Sequence, residues 1–158
     1  MLRRLGIGAF GLAACIGVGL VAGLGGYTFD YAEGTSYLSN DPKACVNCHI
    51  MRDAFDSWQR STHHAAAVCN DCHVPQSLVP KLYAKALHGY RHSKAFTFQD
   101  FHEPIQIGAD SLQMVEDNCV RCHQGLVNDI LVSPALAPHG EGLSCVHCHS
   151  HVGHGPRR

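Results

Sequence analysis

Eight cysteines fall into four copies of one five-residue unit: Cys45-Val-Asn-Cys48-His49, Cys69-Asn-Asp-Cys72-His73, Cys119-Val-Arg-Cys122-His123 and Cys145-Val-His-Cys148-His149. With 9 cysteines and 13 histidines in 158 residues, chance would supply about 0.04 copies of that unit. Zinc is the first chemistry to weigh. Twenty residues separate Cys48 from Cys69, as in a zinc ribbon, and 22 separate Cys122 from Cys145. Zinc, however, gives no reason for a histidine directly after every pair, and a disulfide framework is the weaker alternative. Covalent haem accounts for the whole unit. Two thiols form thioether bonds to the porphyrin, and the next residue places an imidazole under the iron. The expected cofactors are therefore four haems c, carried by Cys45 and Cys48, Cys69 and Cys72, Cys119 and Cys122, and Cys145 and Cys148.

Four six-coordinate irons want eight axial ligands, and the units supply four. The other histidines are His63, His64, His88, His92, His102, His139, His147, His151 and His154. His147 lies between two haem-bearing cysteines and His151 is two residues past His149, so both read as incidental. His102 and His139 read as solvated loop residues.

Helical segments must position these groups. Ser77 to Phe96 reads as one helix, with Pro80 in its first turn and an apolar side of Leu78, Leu82, Ala86 and Leu87. Lys81, Lys85, His88 and His92 recur at steps of four, three and four, and so share a face. That face is either a solvated basic stripe on an amphipathic helix at a membrane surface or a ligand and substrate site. A second amphipathic stretch, "MRDAFDSWQRSTHH", joins the first two units and carries Phe55 and Trp58 to pack on porphyrin. A third, "DSLQMVEDN", opens with Asp110 and has Gln113 three residues on, a capping-box pattern. No segment reads as a strand.

The N-terminus is of another kind. Arg3 and Arg4 precede 25 uncharged residues, Leu5 to Phe29. As a helix they span roughly 37 Å, enough to cross a hydrocarbon core of about 30 Å and longer than the apolar part of a signal peptide. The arginine pair predicts a cytoplasmic N-terminus with the remainder outside. Ala9, Ala13 and Gly17, with Gly19 and Gly23, form small-residue rows of the sort that let two membrane helices approach. Cys15 reads as a small apolar residue within this run.

The totals set bounds. Twelve basic residues against 13 acidic ones give no reason to expect nucleic acid. About 130 residues remain for the globular part, which buries a thin core from side chains alone, so the macrocycles form its interior. The expected fold is mostly α with much loop: one N-terminal transmembrane helix (residues 1–29, with the cytoplasmic N-terminus) and a small multihaem c domain (residues 30–158) whose core is four covalently bound haems.

The run "YLSNDPKACVNCHIM", the spacing of Trp58 and His63 before "CNDCH", the segment "KALHGYRH" and the run "CVHCHSHVGHG" resemble the NapC/NirT family of membrane tetrahaem cytochromes. The nearest branch is the NrfH type, the small subunit of ammonia-forming cytochrome c nitrite reductase. The resemblance implies a single-pass protein of the bacterial cytoplasmic membrane, with its haem domain in the periplasm. Such a protein oxidises quinol (menaquinol is expected) and passes electrons through four haems to a periplasmic reductase.

It also implies site residues. Met51 would ligate the first iron while His49 stays off it. Lys85 would hydrogen-bond the quinol oxygen, and His92 would lie near the first iron and accept a proton. His73 and His154 would hold the second haem, and His123 and His63 the third, with His64 the rival to His63. His149 would hold the fourth, whose remaining side a lysine of the catalytic subunit would fill. The competing classes are a donor to a nitrate or N-/S-oxide reductase and a non-catalytic anchored relay. Reduction of nitrite by this chain itself is not expected, since no Cys-x-x-Cys-Lys unit occurs.

Overall fold

The computed structural model describes residues 8–131 and 144–155. Arg3, Arg4, the first residues of the apolar run and His139 lie outside them. The chain divides into two units, Met1–Ser36 and Tyr37–Arg158. Secondary structure is entirely helical among the described residues: α1 (Ala9–Tyr31), α2 (Arg52–Gln59), α3 (Cys69–His73), α4 (Leu78–Phe98), α5 (Ala109–Leu131) and α6 (Cys145–Cys148). Short 3-10 turns cover Gly34–Leu38, Pro42–Asn47 and His49–Met51.

In the first unit, α1 has 23 residues and none of them is buried. At 1.5 Å per residue it is about 35 Å long, and its mean hydropathy of 1.9 suits a membrane span. It runs two residues beyond the expected end at Phe29. Tyr27 and Tyr31 stack at that end with ring centres 6.0 Å apart, where aromatic side chains favour a membrane–water boundary. Gly34 follows closely, and a Cβ there would overlap the Phe29 ring.

The second unit has almost no apolar core. Among the described residues the buried hydrophobic side chains are Val74 and Ala84, and no large side chain is fully enclosed. Its elements are joined instead by polar clamps. Asn118, 7 % exposed, donates to the carbonyls of Cys72 and Val74 at 3.0 Å each. Arg121 donates to the Asp71 carbonyl at 3.2 Å and to the Asn118 side chain at 3.1 Å. Both clamps hold α3 on α5. The chain end is tied to α2, because Gly155 donates to the Ser57 carbonyl at 3.3 Å while the Ser57 hydroxyl donates back to Gly155 at 3.2 Å.

One sequence expectation needs correction, and one open reading is narrowed. Asp110 does not cap α5, because the helix already begins at Ala109; the Asp110 carboxylate pairs with Arg91 at 3.0 Å. Gln113 accordingly donates to Asp117 one turn on, at 2.9 Å. In α4 the apolar side faces outward: Leu78 is 70 %, Leu82 47 % and Ala86 also exposed, whereas Lys85 is 6 % exposed. The face carrying lysine and histidine is not a uniformly solvated stripe: Lys85 is buried and Lys81 and His88 half-buried, while His92 is exposed.

Candidate redox site

Each Cys-x-x-Cys-His unit is held in a particular backbone. The second forms α3 itself, where the Asp71 carboxylate accepts from the Val68 N–H at 2.9 Å. The third lies inside α5, and the fourth forms α6 with His149 directly after it, its N–H bonded to the Cys145 carbonyl at 2.8 Å. The first is different. Asp41 caps the turn Pro42–Asn47 through the Lys43 N–H, then Cys48 is extended (φ −88°, ψ 114°) and breaks the helix before His49. The N–H of Met51 bonds back to the Cys48 carbonyl at 2.9 Å, so the half-buried methionine starts α2.

The attachment sulfurs are neighbours. Cys45 and Cys69 share a hydrogen bond that lowers the first thiol and raises the second. Cys119 and Cys145 share another. Burial, and then the nearby sulfur of Cys119, raise Cys72. The four units therefore follow one another in space as first, second, third, fourth.

At two of them the motif histidine is paired with a second histidine. The rings of His73 and His154 have centres 5.9 Å apart, and those of His63 and His123 are 6.1 Å apart. Two imidazoles on opposite sides of one metal, each nitrogen about 2 Å away, put their ring centres roughly 6 Å apart. In each pair the non-motif ring has its Nδ1 at a backbone carbonyl: His154 at Ala54 O, 3.0 Å, and His63 at Val152 O, 3.1 Å. Nδ1–H donates there, which fixes the tautomer and leaves Nε2 as the free donor to a metal. Burial, then the charges of His154 and His88, push His73 down to about 4, so its imidazole is neutral as ligation requires. His64 instead packs edge-on to Trp58 at 4.7 Å. Among the described residues no second imidazole faces His149.

The residues present fit four haems c. Every unit presents two thiols and a histidine, two imidazole pairs have the separation one iron needs, and the interior lacks the side chains that would otherwise fill it. Phe55 and Trp58, ring centres 5.5 Å apart, line a cavity of about 200 Å³ with Asp41, Pro42, Lys43, Gln59 and His64.

The inward face of α4 meets the approach to the first unit. Lys85 Nζ donates to the carbonyls of Leu38 (3.1 Å) and Ser39 (2.7 Å) and to Asn40 Oδ1 (3.3 Å). Burial, then the charge of Lys81, lowers its pKa. Asn70 of the second unit donates to the same Ser39 and Asn40 acceptors, at 2.9 and 3.0 Å. Tyr37 hydrogen-bonds His92 Nδ1 at 3.1 Å and lies in the field of Cys48 and Cys45. The ring of His92 stacks on His88, which reaches the Ser111 hydroxyl at 3.3 Å. Burial lowers both histidines. His102, His147 and His151 are exposed.

Sequence reasoning missed Tyr37, Glu116, Asn118 and Arg121. Asn118 directly precedes the third unit and Arg121 lies within it, but both bond backbone groups more than 40 residues away, which no local pattern records. Tyr37 stands in the run "YLSNDPKACVNCHIM", whose polar content drew attention to the unit rather than to the tyrosine.

Comparison with known proteins gives a consistent set. Residues 8–118 match the family described as "NapC/NirT cytochrome c family, N-terminal region". The chain is similar to the cytochrome c-type protein NrfH of Wolinella succinogenes, 36 % identical over 146 residues, covering 88 % of this chain and 82 % of the relative. It is 32 % identical to the cytochrome c nitrite reductase subunit NrfH of Nitratidesulfovibrio vulgaris, over 78 % of this chain and 72 % of the relative. The cytochrome c-type protein NapC of Escherichia coli is 26 % identical, over 73 % and 69 %. A solved structure described as the cytochrome c nitrite reductase NrfHA complex bound to the HQNO inhibitor contains a similar chain, with 28 % identity and a TM-score of 0.62, covering 87 % of this chain and 89 % of that one.

Proposed function

The chain belongs to the NapC/NirT cytochrome c family, and from that premise we propose that it is a membrane quinol dehydrogenase that feeds electrons to a cytochrome c nitrite reductase. It is an electron-transfer subunit of a reductase complex, anchored by α1, with covalently bound haem c. In this reading the N-terminus is cytoplasmic and the haem unit periplasmic, as the arginines at positions 3 and 4 suggest.

One observation carries the quinol assignment. α4 turns Lys85 and His92 toward the first unit while Leu78, Val79, Leu82, Tyr83 and Tyr90 stay exposed. An outward apolar face suits a helix lying against lipid, which is where quinol resides. Haem c, when bound, supplies one-electron redox chemistry and conduction between centres. Lys85 orients the quinol, with a hydroxyl oxygen replacing the 3.3 Å bond to Asn40. Its lowered pKa means that the ammonium is held at some cost, which a polar ligand relieves. With His92 Nδ1–H donating to the Tyr37 hydroxyl oxygen, Nε2 is the nitrogen that takes a proton. Oxidation of one quinol releases two protons and two electrons; the chain's residues receive the protons at this face, and the electrons leave toward the fourth unit.

Met51 would ligate the first iron in place of His49, whose placement is decoupled from its thiols by the extended Cys48. His73 with His154 and His123 with His63 would hold the second and third. His149 would hold the fourth, with the partner reductase supplying its other side. Lys85→Ala tests the site. A soluble quinol analogue should no longer reduce the haems, while dithionite still reduces all four; unchanged quinol turnover would defeat the assignment. Co-purification from native membranes tests the partner, which should carry a Cys-x-x-Cys-Lys haem site.

A further inference from the structure

A carboxylate ties the fourth Cys-x-x-Cys-His unit to the helix of the third. Glu116 lies one turn before Cys119 on α5. Its Oε1 accepts from the Ser144 hydroxyl at 2.6 Å and from the Val146 N–H at 3.2 Å, and its Oε2 accepts from the Cys145 N–H at 2.8 Å. The first two N–H groups of α6 and the hydroxyl of its capping Ser144 are thus met by one side chain from the helix carrying the third unit, while Ser144 Oγ accepts from the His147 N–H at 3.3 Å.

We propose that Glu116 is a positioning residue for the electron exit: it fixes the fourth haem-bearing segment on the helix of the third and holds the centres there at a lower potential than they would otherwise have. The inference rests on the reading that these units carry haems and that the fourth is the exit. The geometry sets both effects. Bonds to Ser144 and to two successive N–H groups orient α6 as a body, and with it the two thiols and His149. The adjacent sulfurs of Cys119 and Cys145 place the carboxylate beside both attachment points. Desolvation works against its charge, but the hydrogen bonds it accepts from the Ser144 hydroxyl and from the N–H groups of Cys145 and Val146 favour the ionised form. A fixed negative charge opposes addition of an electron to nearby iron and favours the ferric form. At an effective dielectric of about 20, a unit charge within roughly 10 Å changes the ferrous-to-ferric ratio about tenfold, or roughly 59 mV for a one-electron couple.

The test is a spectropotentiometric titration of the full-length, four-haem protein without quinol or reductase, so its outcome is independent of both assignments. Glu116→Gln removes the charge at nearly constant volume and should raise one or two of the four midpoints by about that amount, leaving the others in place. Ser144→Ala keeps the charge but removes the 2.6 Å donor that partly neutralises it, and should shift the same midpoints the opposite way by a smaller amount. A purely structural tie would move neither set in this signed pattern. Four unmoved midpoints in a four-haem Glu116→Gln protein, by intact mass, overturn the proposal. If that variant fails to assemble, unmoved midpoints in Ser144→Ala overturn it equally.

Discussion

The first and third haem-binding units differ at one residue, Cys-Val-Asn-Cys-His against Cys-Val-Arg-Cys-His, yet they sit in unlike backbones. The third lies within 23 residues of continuous helix, where Arg121, the differing residue, clamps α3 through the Asp71 carbonyl. The first lies between two 3-10 turns with an extended Cys48 at the break, and the approach to it is knotted to α4 by Lys85. The five residues dictate attachment of the macrocycle. What flanks them dictates which side chain reaches the metal and what else can approach it. A unit on a long helix has its histidine delivered by the helix. In the proposed reading, a unit broken at its second cysteine, as Cys48 breaks the first, hands that role to Met51 and leaves room beside it for a substrate.

The largest test of that contrast is ligand removal. His123→Ala should convert one low-spin centre to high spin and lower electron delivery to the reductase by more than about 100-fold, since even losing a ligand's supporting partner costs roughly 10–100-fold. His49→Ala should leave spectrum and delivery unchanged, while Met51→Ala should alter the first centre alone. Equal spectral damage from His49→Ala and His123→Ala would erase the distinction. A smaller effect is expected at the clamp beside the third unit. Asn118→Ala strips both the Cys72 and Val74 carbonyls of a buried donor, and should cost about 1–3 kcal/mol in denaturant unfolding of the haem-loaded protein, without altering the first centre. The smallest concerns pH at the first region. Burial holds His92 below the ordinary imidazole value of 6.5, so it is neutral and proton-accepting at pH 7. The quinol-driven rate should therefore be flat above neutrality and fall only on the acid side below pH 6.5, halving at the shifted pKa. His92→Asn should abolish that acid limb; an identical profile in the variant would remove His92 from proton transfer.

The legibility of this molecule from sequence followed the locality of its interactions. Haem attachment needs contiguous residues, so all four units could be read directly. The helix through Lys85 and His92 was readable from its period, but not its sidedness, because the usual rule puts water outside and protein inside, and α4 exposes Leu78 and Leu82 instead. The Asp110–Gln113 pattern suggested a cap, which Arg91 and Asp117 pre-empted by claiming both side chains. Glu116 left no sign at all, since its acceptor role is defined by backbone groups nearly 30 residues further on.

The segment from Val152 to Gly155 serves two centres at once: Val152 steadies His63, and His154 pairs with His73. These residues follow all four Cys-x-x-Cys-His units in the sequence. In the proposed ligation the second and third haems therefore cannot gain their full ligand sets until this segment has been made, however early their porphyrins are joined. In the proposed ligation, a nonsense codon at Val152, which removes both Val152 and His154, would yield a protein still coloured by its covalent cofactors, with two irons in its midst wrongly coordinated.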